Sequence, residues 1–192
     1  MPDSLSEQKS ACRALARKAL GALSPEQRKG ASRTICETLV KRDAWQKASS
    51  VLLFAPMADE PDVWSLVELA IASGKTVALP RFVAADGQYE AASIQDPLSD
   101  VGAGKFGILE PAAHCKAAEL NRLDLVLVPG VAFDWHRRRL GRGRGFYDRL
   151  LAEVSGTTCG VAFDQQMVEA IPVEPHDVRL NCILTPSHWL EL

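Results

Sequence analysis

The chain has 192 residues, enough for one domain with a sizeable core. Some 47% of residues are apolar and 24% charged, and a formal net charge of −2 excludes a global basic field that would recruit nucleic acid or an anionic membrane. No apolar run approaches the ~20 residues of a membrane span, the N-terminus lacks the apolar core of a secretory signal, and five dispersed cysteines without a CxxC pair fit reduced thiols in a cytoplasm rather than a disulfide framework or zinc site.

In chain order, Cys12, Leu15, Ala16, Ala19, Leu20 and Leu23 recur at helical spacing and predict a helix over 6–21. In "SPEQ", Ser24 is the cap, Pro25 the first helical position and Gln27 the partner of a capping box, so a second helix runs to about Val40. Together they make an N-terminal helical segment, 5–42. "SVLLFAP" (50–56) reads as a buried parallel strand stopped by proline. "DVWSLVELAIASG" is an amphipathic helix with a glycine stop, and Trp64 within it reads as packing. "KTVALPRFV" is the next strand, and "DGQYEAASI" a hairpin arm with Asp86-Gly87 at the turn. "LDLVLVPGVAF" (123–133) is the strongest buried-strand pattern. "GFYDRLLAEV" starts a helix, and "TTCGVAF" and "NCILTP" are strands. Strands alternating with helices predict a single α/β domain of three layers, a Rossmann-like, mostly parallel sheet with helices on both faces.

One segment stands apart. From Arg137 to Gly145 the chain holds five arginines and three alternate glycines, after the strongest strand and before a helix. In open α/β sheets ligands sit at the carboxyl ends of strands. Glycines let backbone N–H groups approach a phosphate, a helix N-terminus adds partial positive charge, and guanidinium groups bind phosphate through paired donors. A polyphosphate is the expected ligand; the alternative is a solvated basic loop. The pattern is neither GxxxxGK[ST] nor GxGxxG.

"LVLVPGVAFD…RLGRGRGFYDRLL" resembles the 5-formyltetrahydrofolate cyclo-ligase (methenyltetrahydrofolate synthetase) family, which carries Pro-Gly-x-x-Phe-Asp and then Arg-Leu-Gly-x-Gly-x-Gly-aromatic-Tyr-Asp. "KSACR", "FAPMADEPDV", "KFGILEP" and "GVAFDQQMVEAIPVEPHD" extend the resemblance over nearly the whole chain. It implies ATP-driven conversion of 5-formyltetrahydrofolate, polyglutamylated or not, to 5,10-methenyltetrahydrofolate with release of ADP and phosphate; a monomer is the expected state, a homo-oligomer the alternative. Hydroxide is a poor leaving group. If the formyl oxygen first attacks the γ-phosphoryl group, that oxygen leaves later as phosphate, and the protein mainly aligns two substrates and neutralises charge.

The resemblance implies a role for each candidate, and each has a plainer alternative. Arg139, Leu140, Gly141, Arg142, Gly143, Arg144 and Gly145 would cradle the ATP phosphates, Arg144 contacting the γ-phosphate; Lys9 and Arg13, four apart on one helical face, would join them, Lys9 and Arg144 being the catalytic cations. The alternative for Lys9 and Arg13 is a solvated stripe continued by Arg17. Asp148 and Asp177 would bind magnesium, partly through water; otherwise Asp148 pairs with an arginine and Asp177 is a turn or cap. Glu60 would accept from the folate's pterin, with Ala55 lining the same site; Glu60 otherwise is an exposed loop acid. Phe146 and Tyr147 would flank substrate or nucleotide, unless they are core. His176 reads as structural. Rival readings are a non-catalytic nucleotide- or RNA-binding member of the fold, and an ATP-using enzyme for another formylated or carboxylated small molecule. Arg137 departs from the family, which has glycine in that turn; positive φ there would cost arginine about 1 kcal/mol.

Overall fold

The computed structural model describes residues 4–85, 87–174 and 177–191, with the backbone alone at Phe106; Asp86 of the expected turn and His176 lie outside them. Helices α1 (Leu5–Leu20), α2 (Pro25–Leu39) and α3 (Asp43–Gln46) come first, then strand β1 (Ser50–Leu52) and helix α4 (Trp64–Ala72). Strands β2 (Thr76–Val83), β3 (Gln88–Ile94), β4 (Val101–Ala103), β5 (Leu109–Pro111), β6 (Leu125–Val128), β7 (Ala132–Asp134) and β8 (Arg139–Leu140) follow. Helix α5 (Phe146–Leu151) and strands β9 (Thr157–Val161), β10 (Met167–Val168), β11 (Cys182–Leu184) and β12 (Trp189–Glu191) close the chain.

The main sheet has seven strands in the order β12-β11-β9-β6-β1-β2-β3. The five inner strands are parallel, and both edge strands, β12 and β3, pair antiparallel with their neighbours. From β1 the chain winds first towards β3, then returns to β6 and winds the other way, so the order reverses between β1 and β6. Side chains alternate across this sheet as strand geometry requires. Val51, Leu53, Val77, Leu79, Leu125 and Leu127 face α2, α3 and α4, where Ile35, Leu39, Trp45, Leu66 and Val67 meet them. Leu52, Ala78, Val126 and Val128 face the other way, against Phe133 and the Leu150–Leu151 pair of α5. The sheet with a helical layer on each face is the expected architecture. Trp64 packs against the first of these cores, as expected.

The expected strand 123–133 is two strands. β6 ends at Val128, the chain turns at Pro129-Gly130, and β7 joins a separate small sheet, β10-β7-β8. The apolar run continues through the turn because β7 is as buried as β6. Proline lacks the N–H that would extend the ladder, and Gln166 Nε2 donates to Gly130 O at 2.7 Å, fixing the corner.

The first helix also differs from its expected apolar stripe. Leu15 is 68% exposed and Ala19 is exposed; only Ala16 and Leu20 are buried. The inward face runs Lys9, Cys12, Arg13, Ala16, Leu20, so two cations occupy positions where a core helix would carry apolar residues. Ala16 meets Val131, Ala132, Leu140 and Ile171, which docks α1 on the small sheet. Both N-terminal helices begin at full capping boxes, Ser4 with Glu7 and Ser24 with Gln27; only the second was expected.

Arg137 adopts φ 62, the one non-glycine residue with positive φ among those described. The turn is held around it: Asp134 Oδ1 accepts from the N–H groups of His136 (2.9 Å) and Arg138 (3.0 Å), and Leu180 N donates to Arg137 O (3.0 Å). Only a 3.3 Å bond from Nε to Leu180 O engages the side chain. Arg137→Gly is therefore expected to stabilise the fold by about 0.5–1 kcal/mol, relief of the left-handed conformation outweighing that bond and the added chain entropy. A raised denaturant midpoint at unchanged slope is the expected measurement.

Candidate active site

Open α/β sheets place ligands outside the carboxyl ends of the strands where the winding direction reverses. Here that point lies between β1 and β6, and a cavity of about 260 Å³ occupies it. Phe54, Ala55, Met57 and Glu60, which follow β1, form one wall; Pro129 and Gly130, which end β6, contribute to the lining. Pro80 and Tyr89 come from β2 and β3, and Ile108, Leu109 and Glu110 from the β4–β5 hairpin. Pro80 sits beyond the residues of β2 that pair with β1, so its missing N–H costs the sheet no bond there.

The arginine–glycine loop supplies the remaining side. Arg139, Gly141, Arg142, Arg144, Gly145, Phe146, Tyr147 and Asp148 all line the cavity, as do Ala55 and Glu60. Gly143 and Gly145 stand at φ 96 and 65, which lets the backbone curl as expected. The helix that follows has only six residues, so the positive charge here comes from side chains rather than from a helix dipole. Leu140 does not reach the cavity; its side chain is buried with Ala16 and Val131. Lys9, Arg13, Gly143 and Asp177 are not lining residues; Gly143 lies within the loop and Arg13 touches it. Arg13 Nε donates to Gly141 O at 2.9 Å, and one turn earlier Lys9 Nζ bonds Asp177 (2.8 Å) and Glu174 (2.7 Å). Lys9 is only 12% exposed, so the solvated-stripe reading fails for it, while Arg17 is exposed.

Each acid singled out in the sequence meets a cation singled out with it. Asp148 pairs with Arg139, whose guanidinium lies 5.6 Å from the Tyr147 ring centroid. Glu60 is buried rather than an exposed loop acid; Oε1 accepts from Arg142 (2.9 Å) and Oε2 from Met57 N (3.0 Å). Arg142 also bonds Asp59 at 2.5 Å, so this guanidinium bridges two carboxylates instead of projecting alone. Burial opposes the Arg142 charge, but Asp59 and Glu60 outweigh it and hold the group above its usual range. Burial pushes Asp59 up, and Arg142 more than reverses this, leaving the carboxyl below the usual range. Lys9 follows the same pattern, desolvation being outweighed by Asp177 and Glu174. One donor is left over: Arg139 Nε is buried without a hydrogen-bond partner.

An aromatic cluster adjoins the loop. Tyr89 meets Phe82 at 5.5 Å and Phe146 at 5.0 Å, both edge to face. Glu110, buried, organises this cluster: it accepts from Phe82 N (3.0 Å), Lys105 N (3.1 Å) and Tyr89 OH (3.4 Å). Burial first, then Glu110, pushes the Tyr89 hydroxyl up to about 12. Tyr147 is raised by burial and by Glu60. Tyr89 and Glu110 received no role from the sequence, although "KFGILEP" and "DGQYEAASI" were both noted. Their signal is long-range, since β3 and β5 reach the cavity only through the edge of the sheet.

Among the described residues, the group of three potential metal ligands found close together is Asp100, His114 and Cys115, none of which lines the cavity. Their hydrogen bonds already account for them: Asp100 accepts from Gln95 N, Asp96 N and the His114 ring, and Cys115 donates to Asp100 O.

The Arg139–Asp148 pair yields a stability prediction. Asp148→Ala would strand a guanidinium that is only 4% exposed and is expected to cost about 3 kcal/mol. Asp148→Asn keeps an acceptor and should cost about half as much, as denaturant midpoints would show.

Comparison with known proteins agrees with this arrangement. The sequence model of the 5-formyltetrahydrofolate cyclo-ligase family matches residues 5–186. The chain is 36% identical to the Mycolicibacterium smegmatis 5-formyltetrahydrofolate cyclo-ligase over 151 residues, 73% of this chain and 75% of that one. It is 32% identical to the Escherichia coli enzyme of that name over 174 residues, 86% of this chain and 93% of that one. The solved structure of Aquifex aeolicus 5,10-methenyltetrahydrofolate synthetase superposes with a TM-score of 0.85 at 30% identity, covering 95% of this chain and 92% of that one. By sequence and by fold, this chain belongs to the 5-formyltetrahydrofolate cyclo-ligase family.

Proposed function

We propose that this protein closes 5-formyltetrahydrofolate to 5,10-methenyltetrahydrofolate at the expense of ATP. The observation that carries the reading is the placement of the arginine–glycine loop: Arg139, Arg142 and Arg144 line a cavity at the sheet's reversal point, where open α/β sheets take their ligands. Guanidinium groups there match a phosphate-bearing ligand.

The residues divide the work by chemistry. Tyr89 and Phe146, backed by Phe82, offer ring surface to a flat heterocycle, and Glu60 offers carboxylate oxygens to its N–H groups. Arg144, with Arg139 and the curled 141–145 backbone, would hold the polyphosphate, Arg13 would hold the loop from the α1 side, and Lys9 would hold Asp177. Held together, the formyl oxygen attacks the γ-phosphorus, ADP leaves, N10 closes on the formyl carbon, and the oxygen departs as phosphate. No enzyme nucleophile is needed, and the cavity has none of the Ser/His or Cys/His type among its lining residues.

Magnesium fits the donor set. Hard oxygen ligands suit the ion, which takes one or two carboxylates and completes its shell with phosphate oxygens and water. Asp148 lines the cavity and Asp177 is bonded by Lys9, one turn of α1 before the Arg13 contact with the loop; these two carboxylates would hold the ion. The ion would offset negative charge on the transferring phosphoryl group. We place the reaction in the cytoplasm; among the described residues no helix is long and apolar enough to cross a membrane.

The deciding experiment mixes protein, ATP, magnesium and 5-formyltetrahydrofolate and follows methenyl absorbance with phosphate release. Growth of both at equal rates is expected. Phosphate release with other formylated or carboxylated substrates only, or binding without turnover, would replace the proposal with one of its rivals. Arg144→Ala is expected to raise KM for ATP about tenfold or more with a smaller effect on folate, and Glu60→Gln to do the reverse, each having lost a charged hydrogen bond. Equal effects on both substrates would reject these assignments.

A further inference from the structure

We infer that Asp59 is a positioning residue: it latches Arg142 to the Glu60 side of the cavity, so that folate, which takes Glu60, and nucleotide, which takes Arg142, each free the other's partner and their binding is positively coupled. The inference rests on the proposed function. Its basis is the bridge itself. Arg142 Nη2 bonds Asp59 Oδ1 at 2.5 Å and Glu60 Oε1 at 2.9 Å. The two acids are adjacent in a tight turn, closed by Glu60 N donating to Met57 O at 3.0 Å. Two carboxylates on one cation leave a local charge of −1, so Arg142 in this position offers a phosphate no net attraction. The flanking Gly141 and Gly143 give its backbone the freedom to re-aim.

A pterin brings neutral N–H donors. When these occupy Glu60, the Oε1 acceptor is drawn away from Arg142, since Oε2 is already held by Met57 N. Arg142 then keeps only Asp59, whose side chain is 36% exposed against 6% for Glu60. A solvent-screened pair is the weaker hold. Phosphate oxygens now displace one exposed carboxylate instead of two. By linkage, nucleotide that draws Arg142 away frees Glu60 for the pterin to the same degree.

The test is a double-mutant cycle read by affinity for a non-hydrolysable ATP analogue with magnesium, with and without 5-formyltetrahydrofolate. In the unaltered protein, folate is expected to tighten nucleotide binding about 5–10-fold. D59N should tighten folate-free nucleotide binding about 3–5-fold, and D59E should restore the original value. In an R142Q background the D59N gain should vanish and the folate effect should fall to about onefold. If D59N gives the same gain with and without Arg142, it acts by bulk charge alone and the latch is refuted. Absence of any folate effect in the unaltered protein, when both ligands bind, also refutes it. Should R142Q lower the melting temperature, R142M, which also removes the cation, completes the cycle. Failure of the unaltered protein to bind folate at all overturns the proposed function itself, and with it the latch; a D59N result alone leaves that function standing.

Discussion

Guanidinium groups packed at the end of a sheet must be compensated, and the way this chain compensates them sets the geometry of everything around the cavity. Arg139 takes Asp148 from the following helix, Arg142 takes Asp59 and Glu60 from the turn after β1, and Lys9 takes Asp177 and Glu174 from near the C-terminus. Each pair joins segments far apart in sequence or on different elements. A partly buried charge left unpaired is costly, so these pairings fix the turn after β1, the loop after β8 and the N-terminal helix relative to one another. The apolar core positions the sheet; the ion pairs position the ligand-facing edge.

The sheet in turn explains why this edge is where the ligands belong. β1 and β6 are adjacent and parallel, but the chain leaves them in opposite directions. Their following loops therefore part, and a cleft opens that no crossover helix covers. Pro129-Gly130 deepens it by ending β6 abruptly. The antiparallel β3 then brings Tyr89 to the cleft's far side. Cations and aromatic rings share this edge, Arg139 lying over Tyr147 and Arg149 over Phe146, so phosphate-holding and ring-holding groups are interleaved.

Much of this was legible in the residues. The helices, the inner strands and the arginine–glycine loop follow from periodicity, caps and glycine spacing, because each is decided within ten or fifteen residues. The split of 123–133 into two strands was not legible, since both halves are buried and an apolar run looks the same in either sheet. Leu15 and Ala19 fit a helical stripe but face solvent, because the inward face of α1 carries Lys9 and Arg13. Glu110 and Tyr89 escaped for another reason: their importance lies in contacts across three strands, which no local pattern records. The pairing of Arg142 with Asp59 and Glu60, 83 and 82 residues earlier, is of the same kind.

The slender attachment of α1 has its own consequence. This helix buries only Ala16 and Leu20 fully, with Cys12 partly buried beside them, and its polar holds include those of Lys9 and Arg13 and the bond from Arg28 to Leu20 O. Its detachment therefore exposes little apolar surface and lies energetically far below melting of the seven-stranded sheet. On warming, the first cooperative unit to peel away is the one bracing the arginine loop. Catalytic competence and global order then have separate thermal thresholds, with the former lost first while the core remains intact.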